Sequence, residues 1–186
     1  MLACLLAYIV WGPVIPVLLI ILAMPFLVAM FVIDCDHLIL PDQLMIICAV
    51  LGLLFRVSIG FYAPDHLVPL TGLMVETNIP AWVEGLGAAI LYGGLIWLVG
   101  ALMKVILKKD ALGFGDVKFF AVAGLWLGLA ALPLFLMMGG VLGVVWGILW
   151  RFTVKDPVFP FGPALILSFY ACLLLLGLGS IPLYTL

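Results

Sequence analysis

Stretches of about twenty apolar residues follow one another along this chain, and a helix of about that length is what crosses the ~30 Å hydrocarbon core of a bilayer. No Asp, Glu, Lys or Arg precedes Asp34. A backbone in lipid has no water to bond, so spanning segments must satisfy their own N–H and C=O groups as helices or as closed barrels. Barrel strands alternate polar and apolar residues in segments of about ten, whereas the apolar runs here are uninterrupted. The expectation is an all-α, polytopic helical bundle of about five to six membrane helices. A water-soluble domain is excluded by 68% hydrophobic and 9% charged residues over 186 positions, with a mean hydropathy of +1.48.

Helix breakers divide the chain. Residues 1–13 end at Gly12-Pro13 and read as a partial N-terminal helix. Residues 14–33 read as the first full span despite Pro16 and Pro25, because neighbouring helices can satisfy the groups that proline frees. Pro41-Asp42 opens the next helix, to residue 62, with Asp42 suited to cap it. Residues 63–80 hold three prolines and mixed polarity and read as an extracytoplasmic loop. A long span over 81–107 leads to the Gly-rich turn "ALGFGD", and the apolar run before Pro133 is short, a half-span or a strongly tilted helix. Residues 134–150 and 164–183 complete what reads as one membrane-embedded domain, 1–186.

Threading the spans alternately puts residues 34–42, 104–118 and 151–156 on one side. Six of the seven basic residues fall there, namely Lys104, Lys108, Lys109, Lys118, Arg151 and Lys155, while Arg56 lies towards the far end of its span. The positive-inside rule makes that side cytoplasmic. Asp65, His66, Glu76 and Glu84 then belong near the opposite surface as solvated groups. Gly139, Gly143 and Gly147, and likewise Gly124 and Gly128, recur at four-residue spacing, a pattern that lets helices approach closely in lipid. Packing within the chain is the plainer use of them. Cys4, Cys35, Cys48 and Cys172 form no C-x-x-C pair, so neither a zinc module nor a disulfide framework is read from them.

The chemistry concentrates in "DCDHLILPD", residues 34–42, and "GFGDVK", residues 113–118. A carboxylate beside hydrocarbon is costly unless something offsets it. Two carboxyl groups brought together there cannot both ionise cheaply and share a proton. One then activates a water while the other, protonated, polarises a carbonyl, the pairing used by aspartic proteases. Asp34 and Asp116 are the candidates; helix capping in cytoplasmic water is the plainer alternative. Gly113 and Gly115 read as giving backbone freedom and room for an extended peptide. Asp36 points away from Asp34 on a helix, attracting basic groups or simply solvated. His37 bonds a carboxylate or sits in the headgroup layer, Asp42 reads as a cap, and Lys118 as a membrane anchor or a charge beside an acid. Asp34, Asp36, His37 and Asp42 match no trusted metal-ligand spacing, so neither a metal nor another cofactor is expected.

These two segments resemble the paired signatures of the bacterial type IV prepilin peptidases, membrane aspartic proteases of the G-x-G-D class. "PFGP" at residues 160–163 resembles a segment before that family's final span, and the similarity runs from about residue 14 to the end. The resemblance implies cleavage of the basic leader from prepilins or pseudopilins, in the bacterial inner membrane with the site facing the cytoplasm. Carried over by position, Asp34 and Asp116 are the catalytic acids; Asp36, His37, Asp42, Gly113, Gly115 and Lys118 take supporting or substrate-binding parts. The expected partners are the prepilin substrate and membrane lipid, with no nucleic acid. Longer members often begin with an extra span and a segment bearing paired C-x-x-C motifs, and many also N-methylate the new N-terminus. Those motifs are missing here, so the expectation is a peptidase without methyltransferase activity, as a short form or a truncated chain. A small ion or proton transporter, or an inactive pilin-binding partner, are the alternatives, although transport sites usually lie nearer the midplane.

Overall fold

The computed structural model describes residue 4 and residues 15–62, 79–108, 113–153 and 159–179. Six α-helices occur among the described residues: α1 (Ile15–His37), α2 (Asp42–Tyr62), α3 (Ala81–Leu107), α4 (Phe114–Leu127), α5 (Leu132–Thr153) and α6 (Gly162–Gly179). A 3-10 turn, Leu129–Ala131, joins α4 to α5. The expected partial helix over 1–13 and most of the loop over 63–80 lie outside the described residues.

The fold is the all-α polytopic bundle that the apolar runs require. Four segments are long and apolar enough to cross a bilayer: Ile15–His37, Asp42–Ile59, Ala81–Ile106 and Leu129–Thr153. Helix α6 is apolar but shorter over Gly162–Leu176. The outward faces carry large apolar side chains, with Ile90 77% and Val105 76% exposed on α3. Contiguous surfaces of that kind need a covering.

Helix α1 runs one turn beyond the expected end at residue 33, so Asp34 and Asp36 stand on the helix and not after it. Leu38 then reverses the chain in the left-handed region, φ 55°, and its N–H returns to the Asp34 carbonyl at 3.0 Å. Pro41 immediately precedes α2, and its carbonyl accepts the Met45 N–H at 3.2 Å.

Helix α4 has 14 residues, roughly 21 Å at 1.5 Å per residue, and is the half-span that the short run before Pro133 suggested. It sits at the centre, packed against α2, α3 and α6. Phe119, Phe120, Ala123 and Trp126 on it are buried. Trp126 stacks on Phe55 of α2, ring centroids 4.9 Å apart, and meets Phe169 of α6 edge-on at 6.0 Å. Its indole N–H donates to the Cys48 carbonyl at 2.8 Å. Gly52 makes that approach possible, since a Cβ there would lie 2.5 Å from Trp126 Nε1.

The glycine ridges serve packing within the chain. Gly124 lies against the Ala88 carbonyl and Tyr92 of α3. On α5, Gly139 faces Leu165 and Ser168 of α6, while Gly143 and Gly147 face the rings of Phe161 and Phe159. Cys48 and Cys172 are buried, Cys4 and Cys35 partly so, and all four are free thiols. Glu84 corrects an expectation: it is not a solvated surface group but an ion-pair partner of buried Arg56, 3.5 Å away.

Candidate active site

Three helix ends converge on one place. The last turn of α1 presents Asp34, which is only 5% exposed. Its Oδ2 accepts the backbone N–H of Gly162 at 2.9 Å. Gly162 is the first residue of α6, so that N–H is one of the donors a helix start leaves without an internal partner. The α6 dipole also favours negative charge at its N-terminus. Asp34 thus closes a helix from across the bundle, and a Cβ on Gly162 would lie 2.6 Å from Asp34 Oδ2.

Asp116 occupies the first turn of α4, after Gly113 at the cap position. Its N–H donates to the Gly113 carbonyl at 3.1 Å. Helix α4 is not one of the four spans, yet burial first, and then the nearby Asp34 charge, push the Asp116 carboxyl up to about 7, against a backbone hydrogen bond at Gly113 that favours the ionised form. The two carboxyl groups therefore come from α1 and α4 into one electrostatic environment.

Leu40 is the wedge between their supports. It is buried; a Cβ on Gly115 would meet Leu40 Cβ at 3.3 Å, and one on Gly162 would meet its Cδ2 at 3.2 Å. The backbone freedom expected of the two glycines before Asp116 is not used there. Gly113 has φ −68° and ψ 136°, open to any residue, so backbone freedom is not what it supplies. A side chain there would crowd Asp116 Oδ2 at 3.2 Å. Both glycines keep the acid and Leu40 in close contact with the chain itself.

The remaining candidates surround this centre. Lys118 Nζ lies 2.7 Å from Asp42 Oδ1 and 5.0 Å from the centre of the Phe114 ring. Asp42 thus ties the start of α2 to the start of α4, a role that a reading as helix cap alone did not include. Asp36 and His37, which follow Asp34 in the last turn of α1, are exposed. Among the described residues no group of three or more His, Cys, Asp or Glu stands where it could hold a metal ion.

Sequence reasoning missed Gly162 and Leu40. The only signal was the Pro-Phe-Gly-Pro run, which did not reveal what the glycine touches. Its placement depends on aromatic plugs: a Cβ on Gly143 would fall 2.5 Å from the Phe161 ring, and one on Gly147 3.5 Å from that of Phe159. The two rings meet edge-on at 6.5 Å. Seated on α5, they hold the start of α6 where its first N–H faces Asp34.

Residues 20–148, which carry both acids, match the family model described as Type IV leader peptidase family. The chain belongs to the type IV leader peptidase family. Among leader peptidase relatives, the "Prepilin leader peptidase/N-methyltransferase" of Neisseria gonorrhoeae is 36% identical over 143 residues, 77% of this chain and 43% of that protein. Those of Pectobacterium carotovorum subsp. carotovorum and Pseudomonas aeruginosa are 32% identical over 166 residues (88% of this chain, 53% of that protein) and 30% over 151 (80% and 46%). The chain spans about half the length of these curated relatives. No solved structure matches it. Gly162 falls outside the leader peptidase match, although it bonds directly to one of the two acids inside it.

Proposed function

We infer that this chain is a membrane aspartic endopeptidase that removes the leader from prepilins or pseudopilins, with Asp34 and Asp116 as its catalytic residues. The reading rests on the convergence of the ends of α1 and α4 on Leu40 and Gly162, beside which Asp34 and Asp116 stand, with the Asp116 carboxyl raised by burial and by the Asp34 charge. Two-carboxylate hydrolysis needs that pairing. Relatives named prepilin leader peptidases support the substrate class.

Asp34, held by the Gly162 N–H, acts as base, and Asp116 carries the shared proton. Asp34 takes a proton from water as its oxygen attacks the scissile carbonyl, while Asp116 gives its proton to the carbonyl oxygen. The resulting diol collapses: Asp34 returns its proton to the leaving nitrogen, the C–N bond breaks, and Asp116 recovers a proton from a diol hydroxyl. Both acids end as they began, and no covalent intermediate forms.

The site faces the cytoplasm in this reading. Lys104 in the last turn of α3, Lys118 in the first turns of α4 and Arg151 in the last turn of α5 lie towards the end that bears Asp34, as the positive-inside rule requires. Exposed Asp36 adds negative charge where a basic leader emerges. Co-expression with a prepilin, followed by the intact mass of the pilin, tests the proposal. A product shortened by its leader only when the chain is present is expected. Ion flux in proteoliposomes with an intact prepilin, or prepilin bound and left whole, would contradict it.

A further inference from the structure

At the other end of α4 from Asp116 lies a polar cluster that the cleavage chemistry does not use. Arg56 of α2 is 7% exposed, roughly 20 Å along its helix from Asp42 at 1.5 Å per residue. A guanidinium is an expensive group to bury in a bundle of this kind, so its partners matter. Its Nε donates to the Leu125 carbonyl at 3.1 Å, and its Nη1 lies 3.5 Å from Glu84 Oε2. Glu84 Oε1 accepts the Leu129 N–H at 3.0 Å, and the Tyr92 hydroxyl donates to the Gly128 carbonyl at 2.9 Å. Gly128 has φ 78° and leaves open the space that Arg56 Nη2 fills. Among the described residues that Nη2 has no hydrogen-bond partner.

All three side chains come from α2 and α3, and all of their backbone partners belong to the last turn of α4 or the break after it. They satisfy groups that a helix end leaves open. They also fix something that lipid cannot. A helix of about 21 Å is shorter than the ~30 Å hydrocarbon layer, so hydrophobic matching does not set its depth. A stiff helix held at its C-terminal end has its N-terminal end placed as well.

We propose that Arg56, Glu84 and Tyr92 form a clasp that sets the axial position of α4 and thereby presents Asp116 to Asp34, making them positioning residues for the reaction. The functional half of this rests on the reading of Asp34 and Asp116 as the catalytic pair; the geometric half does not. A displacement of about 1 Å at a reacting group can cost about a hundredfold in rate, so a remote clasp has a measurable effect.

The test reads geometry and activity separately. In a chain whose four cysteines are replaced, Ile39→Cys and Phe114→Cys carry spin labels at exposed positions on the two sides of the site. The label distance distribution is compared between that parent and versions with Arg56→Met, Arg56→Lys or Tyr92→Phe. Unlabelled chains with the same clasp changes are assayed on a prepilin. Arg56→Met is expected to shift or broaden the distribution and to lower kcat about tenfold or more with KM little changed. Arg56→Lys recovers part of both, and Tyr92→Phe, which loses only a hydroxyl, gives a smaller change in the same direction. Should Arg56→Met fail to fold, Tyr92→Phe decides. Distributions that superimpose on the parent overturn the clasp, whatever the activity. A shifted distribution together with undiminished cleavage by Asp116→Asn supports the clasp and removes Asp116 from the chemistry.

Discussion

At Asp116 burial outweighs everything else, and the neighbouring Asp34 charge adds to it, so the carboxyl reaches about 7 instead of its usual 3.8. A raised carboxyl keeps its proton through the mildly acidic range and loses it as pH rises. With Asp116 as proton donor, kcat/KM for leader cleavage should fall about tenfold per pH unit above a break near 7; an assay from about pH 5 to 9 checks this, and a rate still climbing at the alkaline end contradicts it. Gly162→Ala puts a carbon 2.6 Å from Asp34 Oδ2, so either the acid turns away or α6 retreats. Cleavage is expected to drop by about a hundredfold in protein that still inserts, read by initial rates in membranes. The two acids were legible because each stands in a dense polar motif inside an oily chain. Gly162 was not, because its bond to Asp34 joins positions 128 residues apart and depends on where three helices end.

Among the helices, small residues decide how closely neighbours approach. A Cβ on Gly124 would lie 2.7 Å from the Ala88 carbonyl, in backbone that cannot swing aside, whereas one on Gly140 meets nothing within 4 Å. Gly124→Ala should therefore destabilise the chain by about 1–3 kcal/mol, while Gly140→Ala leaves it unchanged or slightly more stable through helix propensity. Unfolding in detergent micelles separates the two; equal effects would contradict the packing described for α3 and α4. The span over 81–107 was readable to its last residue because no charged residue interrupts it between Glu84 and Lys104. The end of α1 was not, because Asp34 looks like a stop until the bond it accepts from the Gly162 N–H is seen. Glu84 was misjudged for a related reason: its partner Arg56 lies 28 residues away in another helix, and reading one span at a time leaves Glu84 looking solvated.

Over the whole molecule the charged side chains among the described residues divide between two ends. One holds the convergence of α1, α4 and α6 with Asp34, Asp116 and the Lys118–Asp42 pair; the other holds Arg56, Glu84 and Tyr92 around the end of α4. The apolar composition made the membrane bundle legible, since few charges remain to be placed, but it could not say that a short central helix links the two polar regions. The central claim is that carboxyl groups from two helices act as one hydrolytic unit, and single-turnover cleavage measures it most directly. The purified chain in lipid nanodiscs is mixed in excess with a prepilin, and the released leader is followed by mass for the parent, Asp34→Asn and Asp116→Asn. Each substitution alone should lower the rate at least about a thousandfold, with the prepilin still bound, because neither half of the shared-proton pair works without the other. Leader release at the parent rate by either variant would contradict the account.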